Sequence, residues 1–143
     1  SVFSILGTDY KKWYSVTYQT KNYQDLFSKI NFLYANAAAS VKTGIGVKSE
    51  GELIITGTKG YIYVPSPWWK TDYFEVRYED FTQNRRYFYK LDGEGRRYEI
   101  AAFSRAIQNG VNTGCMDEKI TASISSVMEQ FYDKECPNHD FIS

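Results

Sequence analysis

Between Tyr73 and Asp80 the chain alternates without a break. Phe74, Val76 and Tyr78 fall on one side of an extended backbone, and Glu75, Arg77 and Glu79 on the other. Successive side chains of a strand point to opposite faces, so a period of two marks a strand with one covered face and excludes a helix. The same period runs through most of the first two-thirds. From Trp13, residues Tyr14, Val16 and Tyr18 share one face while Ser15, Thr17 and Gln19 share the other. Leu26, Ile30, Phe32 and Tyr34 follow, and after a turn at Ala35-Asn36 come Ala39, Val41, Ile45 and Val47. Glu52 to Thr56 and Tyr61 to Val64, joined by Gly57-Thr58-Lys59-Gly60, read as a hairpin. Pro65-Ser66-Pro67-Trp68-Trp69 interrupts, since proline cannot donate to a ladder. Arg86 to Leu91 resumes the alternation, with Tyr87, Tyr89 and Leu91 aligned.

The last third changes period. Ile100, Phe103 and Ile107 lie at helical spacing, and Gly110 supplies a stop. Asp117 is placed to cap a second helix with the stripe Ile120, Ile124, Val127 and Phe131, ended by Pro137. Strands followed by helices predict an α+β fold: an open, mostly antiparallel sheet of six to eight strands, two helices packed on one face, the other face available for sheet-on-sheet association.

At 143 residues the chain reads as a single domain, 1–143. Aromatic residues make up 17% of it, led by 13 tyrosines, which suit strands and interfaces. Formal net charge is zero, so neither nucleic acid nor an anionic membrane is favoured as a partner, and self-association is. Cys115 and Cys136 have no C-x-x-C spacing and read as two thiols in a reducing cytoplasm. No signal-peptide pattern or membrane-spanning run is present. The abrupt apolar start at Val2-Phe3-Ser4-Ile5-Leu6, without an initiator methionine, predicts a domain cut from a longer chain.

Few residues suggest chemistry. Gly44-Ile45-Gly46 and Gly93-Glu94-Gly95 lack the third glycine of a dinucleotide fingerprint and read as turns. A lone His139 supports neither a metal site nor a triad. A glycosidase needs two carboxylates at a set separation; among Glu75, Glu79, Asp80, Asp92, Glu94 and Glu99, Glu75 and Glu79 share a strand face with Arg77 and read as a solvated charged face. Trp68-Trp69-Lys70 is the most unusual local feature. Two indoles and a lysine can hold a sugar ring, or they can close a sheet end or fill a subunit contact. Tyr61, Tyr63, Tyr87 and Tyr89 are the candidates for an apolar sheet interface.

Four segments in order carry a family resemblance. Gly51 to Val64 is similar to the "I-x-G-T-x-G-x-I" hairpin of the Gfo/Idh/MocA oxidoreductases, the glucose–fructose oxidoreductase and inositol dehydrogenase group. Pro65-Ser66-Pro67-Trp68-Trp69 resembles the continuation found in members similar to xylose and dihydrodiol dehydrogenases. Gly95 to Gly110 looks like "G-x-x-Y-E-x-x-x-F-x-x-x-I-x-x-G", and Ser123 to Phe131 like the closing helix. The resemblance spans roughly 26–134.

It implies the C-terminal, substrate-shaping and oligomerising domain of a dehydrogenase acting on a sugar, polyol or related hydroxy compound. The cofactor, NAD or NADP, would sit in a missing N-terminal Rossmann domain, and none in this chain. The family's Glu-Lys-Pro lysine and Asp/His pair have no counterpart here, so no catalytic residue is carried over and the chain alone is expected to be inactive. Its expected partners are itself, as a homodimer or higher oligomer through the open sheet face, the Rossmann domain and a sugar-like substrate. The alternative is a stand-alone carbohydrate-binding or protein-interaction module.

Overall fold

The computed structural model describes residues 2–19, 25–90, 93, 95–110 and 117–133. They divide into two compact units, residues 1–49 with 115–143, and residues 50–114.

The first unit starts with a single turn of helix, α1 (Val2–Leu6), which ends where Gly7 enters the left-handed region at φ 79°. Three strands follow as an antiparallel meander: β1 (Lys12–Gln19), β2 (Asp25–Leu33) and β3 (Ala38–Gly44). The Tyr34 amide donates to the Ala37 carbonyl at 2.8 Å and closes the turn between β2 and β3. The helix α3 (Glu118–Tyr132) completes the unit. Asp117 caps it by accepting from the Lys119 amide at 3.1 Å, as its sequence position predicts. The helix ends at Tyr132, before Pro137, which lies outside the described residues with Cys115, Cys136 and His139.

The core gathers on one face of this sheet. Phe3, Trp13, Phe32 and Val127 are buried, with Ile120, Ile124 and Phe131 of α3 packed against them. Phe3, Tyr10 and Phe32 form a ring cluster with centroids 5.3–5.8 Å apart. Trp13 sets the phase of β1: its side of the strand, with Ser15 and Thr17, is the buried one. The tyrosine side, Tyr14, Val16 and Tyr18, is the open one, and Tyr18 is 54% exposed. Hydrophobicity counted along β1 alone would invert this choice. The Trp13 indole N–H reaches Gln130 of α3 at 3.2 Å.

β3 stops at Gly44, so Ile45 and Val47 lie beyond it, 93% and 45% exposed. The reason is local. The amides of Ile45 and Gly46 both donate to the Leu26 carbonyl, at 3.0 and 3.1 Å, folding the chain back. A side chain at Gly44 would meet that carbonyl at 2.9 Å.

The second unit is a four-stranded antiparallel meander: β4 (Leu53–Thr56), β5 (Gly60–Val64), β6 (Tyr73–Tyr78) and β7 (Arg85–Phe88). The expected hairpin is present, with Thr56 opposite Tyr61. Gly60 is required by close approach: a Cβ there would run into the Arg77 carbonyl of β6. The helix α2 (Arg96–Asn109) opens at Gly95 and closes at Gly110, φ 62°, whose amide reaches the carbonyls of Ala106 and Ile107.

The α+β class and antiparallel pairing are as expected, with the seven strands shared between two sheets of three and four. Only one of the two predicted helix stripes is covered. Ile100, Phe103 and Ile107 of α2 are 66–69% exposed. None of the described residues of the second unit is buried, so this sheet has no closed core of its own. Among the described residues no helix is long and apolar enough to cross a membrane.

Candidate functional site

The Trp68-Trp69-Lys70 segment follows β5 as a tight, backbone-braced loop. The Trp68 amide donates to the Gly51 carbonyl at 2.8 Å, and the Lys70 amide to the Pro67 carbonyl at 2.9 Å. Trp69 packs over Gly51, where an added Cβ would come within 3.2 Å of its ring. The two indoles meet edge to face, centroids 6.0 Å apart and planes at 88°. Trp68 and Trp69 remain 39% and 64% exposed, so indole surface is left open for stacking.

The four tyrosines expected at a sheet interface do not share a face. In the β5–β6 register Tyr61 lies opposite Arg77 and Tyr63 opposite Glu75, which puts both tyrosines on the charged side of the sheet. Tyr87 lies opposite Phe74 on the other side, and Tyr89 stacks on the same Phe74 ring, at centroid distances of 5.1 and 6.3 Å.

The charged side is a closed network. Glu75 accepts from Arg77 Nε at 2.7 Å and from Arg86 at 2.6 and 2.9 Å. Arg77 lies over the Tyr63 ring at 4.7 Å, and Arg86 over Tyr73 at 4.7 Å. Hydrogen bonds from Arg77 first, then from Arg86, hold the Glu75 carboxyl below its ordinary pKa. A carboxylate engaged in this way is a structural anion, and it has no second free carboxylate beside it to act as acid or base.

Sequence reading passed over a pocket in the first unit. A cavity of about 300 Å³ opens between the C-terminal half of α3 and the β2–β3 end, with Ile30, Val127 and Phe131 as apolar walls. Asp25, Ser28 and Thr43 supply its polar groups. Ser28 and Thr43 are register partners and Thr17 pairs with Ser28, so a row of hydroxyls crosses the sheet on the helix-facing side. Three short polar residues in phase with the core tryptophan, at Ser15, Thr17 and Ser28, were the available signal. Asp25 accepts from Gln19 Nε2 at 2.6 Å. One carboxylate and neutral hydroxyls can bind a small ligand, but they make no nucleophile–base pair. Among the described residues no cluster of histidine, cysteine or carboxylate side chains could hold a metal.

No family model and no curated protein matches the sequence. Solved structures do. The chain superposes on two variants of KijD10, described as a 3-ketoreductase from Actinomadura kijaniata in complex with TDP-benzene and NADP, with TM-scores of 0.72 and 0.71. The fold is shared. Identity is 10% in both cases, and the match covers 99% of this chain but only 44% and 45% of those. This chain therefore spans less than half the length of these neighbours. The amides of the Gly44-Ile45-Gly46 turn are spent on the Leu26 carbonyl, so they offer no cradle to a pyrophosphate.

Proposed function

We propose that this chain is the substrate-shaping and oligomerising half of an NAD(P)-dependent oxidoreductase of the Gfo/Idh/MocA type, acting on a sugar, polyol or related hydroxy compound. The reading is carried by the fold likeness over 99% of the chain to a protein crystallised with NADP and more than twice as long. The four motif segments between Gly51 and Phe131 point the same way. Further support comes from the second unit, which exposes Ile54, Phe88, Phe103 and Ile107 at 52–71% and so carries apolar surface suited to a partner. In this reading the nicotinamide chemistry belongs to a separate Rossmann domain, and this chain contributes walls and contacts.

The coding sequence upstream of Ser1 tests it. A Rossmann segment with a strand–G-x-G-x-x-G–helix fingerprint, about 150 residues long, is the expected finding. A stop codon or secretion signal directly upstream overturns the reading. It would leave a stand-alone carbohydrate-binding or protein-interaction module, for which the exposed Trp68-Trp69 pair offers a surface.

A further inference from the structure

Three arginines on the β6–β7 hairpin differ in what they touch. Arg77 and Arg86 share the single carboxylate of Glu75 and lie over tyrosine rings. Arg85 projects on the opposite side, because it pairs with Val76 while Arg86 pairs with Glu75. Among the described residues its guanidinium has neither a carboxylate nor a ring against it. It lines an open cleft of about 560 Å³ whose other walls are Tyr78, Thr82, Gln83, Asn84 and Tyr87. That volume lies within the range of small-molecule sites.

The cleft wall is fixed before any ligand arrives. Asp80 caps a 3₁₀ turn (Phe81–Gln83) and accepts from the Thr82 amide at 3.0 Å, the Thr82 hydroxyl at 2.6 Å and Gln83 Nε2 at 3.0 Å. Those bonds, led by the Thr82 hydroxyl, hold the Asp80 carboxyl below its ordinary pKa and tie its oxygens into its own turn. Asn84 Oδ1 accepts the Tyr78 amide at 2.8 Å, which leaves its Nδ2 as a donor. Gln83 retains Oε1, and Thr82 retains lone pairs, as acceptors. Two phenol rings, 39% and 41% exposed, add flat apolar surface and two hydroxyls. The inventory is one unneutralised guanidinium, amide and hydroxyl groups of both senses, and aromatic faces. A guanidinium fork matches a carboxylate or phosphate, while the remaining groups match ring hydroxyls and an apolar sugar face.

We propose that the cleft between Tyr78 and Tyr87 binds a monosaccharide bearing an anionic group, with Arg85 holding the anion and a tyrosine ring lying against the pyranose. The site is contained within residues 78–87. It requires no nicotinamide cofactor and no second domain, so it stands or falls separately from the oxidoreductase reading.

The test is a titration of the full 143-residue chain, followed by amide and arginine side-chain NMR shifts. The probes are glucuronate, glucose 6-phosphate, methyl glucoside and inorganic phosphate. At least one anionic sugar is expected to shift residues 82–87 and the Arg85 side chain with a Kd of about 1 mM or lower. Saturation by glucuronate alone identifies a carboxylate reader, and by glucose 6-phosphate alone a phosphate reader; either supports the site. Arg85→Gln should weaken that binding roughly tenfold or more, the usual scale of a charge-assisted hydrogen bond. Arg105→Gln, which removes the same charge from α2, should leave it unchanged. Absence of binding by both anionic sugars overturns the proposal. So does methyl glucoside or inorganic phosphate binding as tightly as the best of them, or an Arg85→Gln chain that binds as well as the parent.

Discussion

At the scale of single residues the structure stores two distinguishable kinds of polar group. Ser15 and Thr17 are buried at 0% and 3% exposure, and their hydroxyl oxygens have no partner among the described residues. A buried hydroxyl left unpaired costs about 1–3 kcal/mol. Thr17→Val keeps the shape and removes the hydroxyl, so it should stabilise the fold by up to about 1 kcal/mol, read as a raised urea midpoint. A lowered midpoint would mean that the hydroxyl is satisfied in solution. Glu75 is the opposite case, a carboxylate whose folded pKa is depressed by Arg77 and Arg86. Its contribution is therefore complete above the unfolded carboxyl pKa and is lost as pH falls through the lower folded value. Glu75→Gln should lower the thermal midpoint at pH 7 by about 2–4 °C, a modest effect because both arginines are partly exposed. The difference between variant and parent should vanish in strong acid, and thermal melts from pH 7 to below pH 3 would show it.

At the scale of elements, backbone approach and stripe coverage decide what each segment tolerates. Gly60→Val puts a branched side chain against the Arg77 carbonyl and should separate β5 from β6, costing more than about 2 kcal/mol. Loss of hydrogen-exchange protection in β5 and β6 alone would report it. The two helices should answer substitution differently. Val127 is 5% exposed, and Val127→Ala should cost about 1–3 kcal/mol. Phe103 is 69% exposed, and Phe103→Ser should change the stability of the monomer by no more than about 0.5 kcal/mol. A large loss at Phe103 in dilute, monomeric protein would place α2 against a surface of the same chain.

At the scale of the whole molecule the uneven burial is the dominant fact. The first unit encloses Phe3, Trp13, Phe32 and Val127, while the second encloses no described residue. With zero net charge there is little repulsion to oppose contact between copies. A two-fold dimer is the simplest closed assembly, and one stable in dilute solution would bury about 1,200 Å² or more. Sedimentation equilibrium over about a hundredfold concentration range should show a monomer–dimer equilibrium; a strict monomer throughout would assign the apolar surface to another partner. NADH added to the chain alone should give no calorimetric signal, because the one Gly-x-Gly turn with fully described geometry has its amides occupied.

Local pattern was sufficient for every feature whose physics is local. Alternation located β1 and β6, short apolar runs about a glycine turn located the β4–β5 hairpin, and Asp117 and Gly110 marked helix ends, because caps and pleats depend on neighbours a few residues away. Three decisions depended on contacts distant in sequence. Which side of β1 faces the core was set by Trp13 meeting Phe32 and Gln130, against the larger apolar count of the tyrosine side. The assignment of Tyr61 and Tyr63 to one face and Tyr87 and Tyr89 to the other followed from the registers of three strands together. The candidate sites were the least legible. Arg85 stands beside Arg86 in sequence with the same charge, and only the pleat, which sets Arg86 opposite Glu75 and Arg85 opposite Val76, leaves one of them ion-paired and the other open.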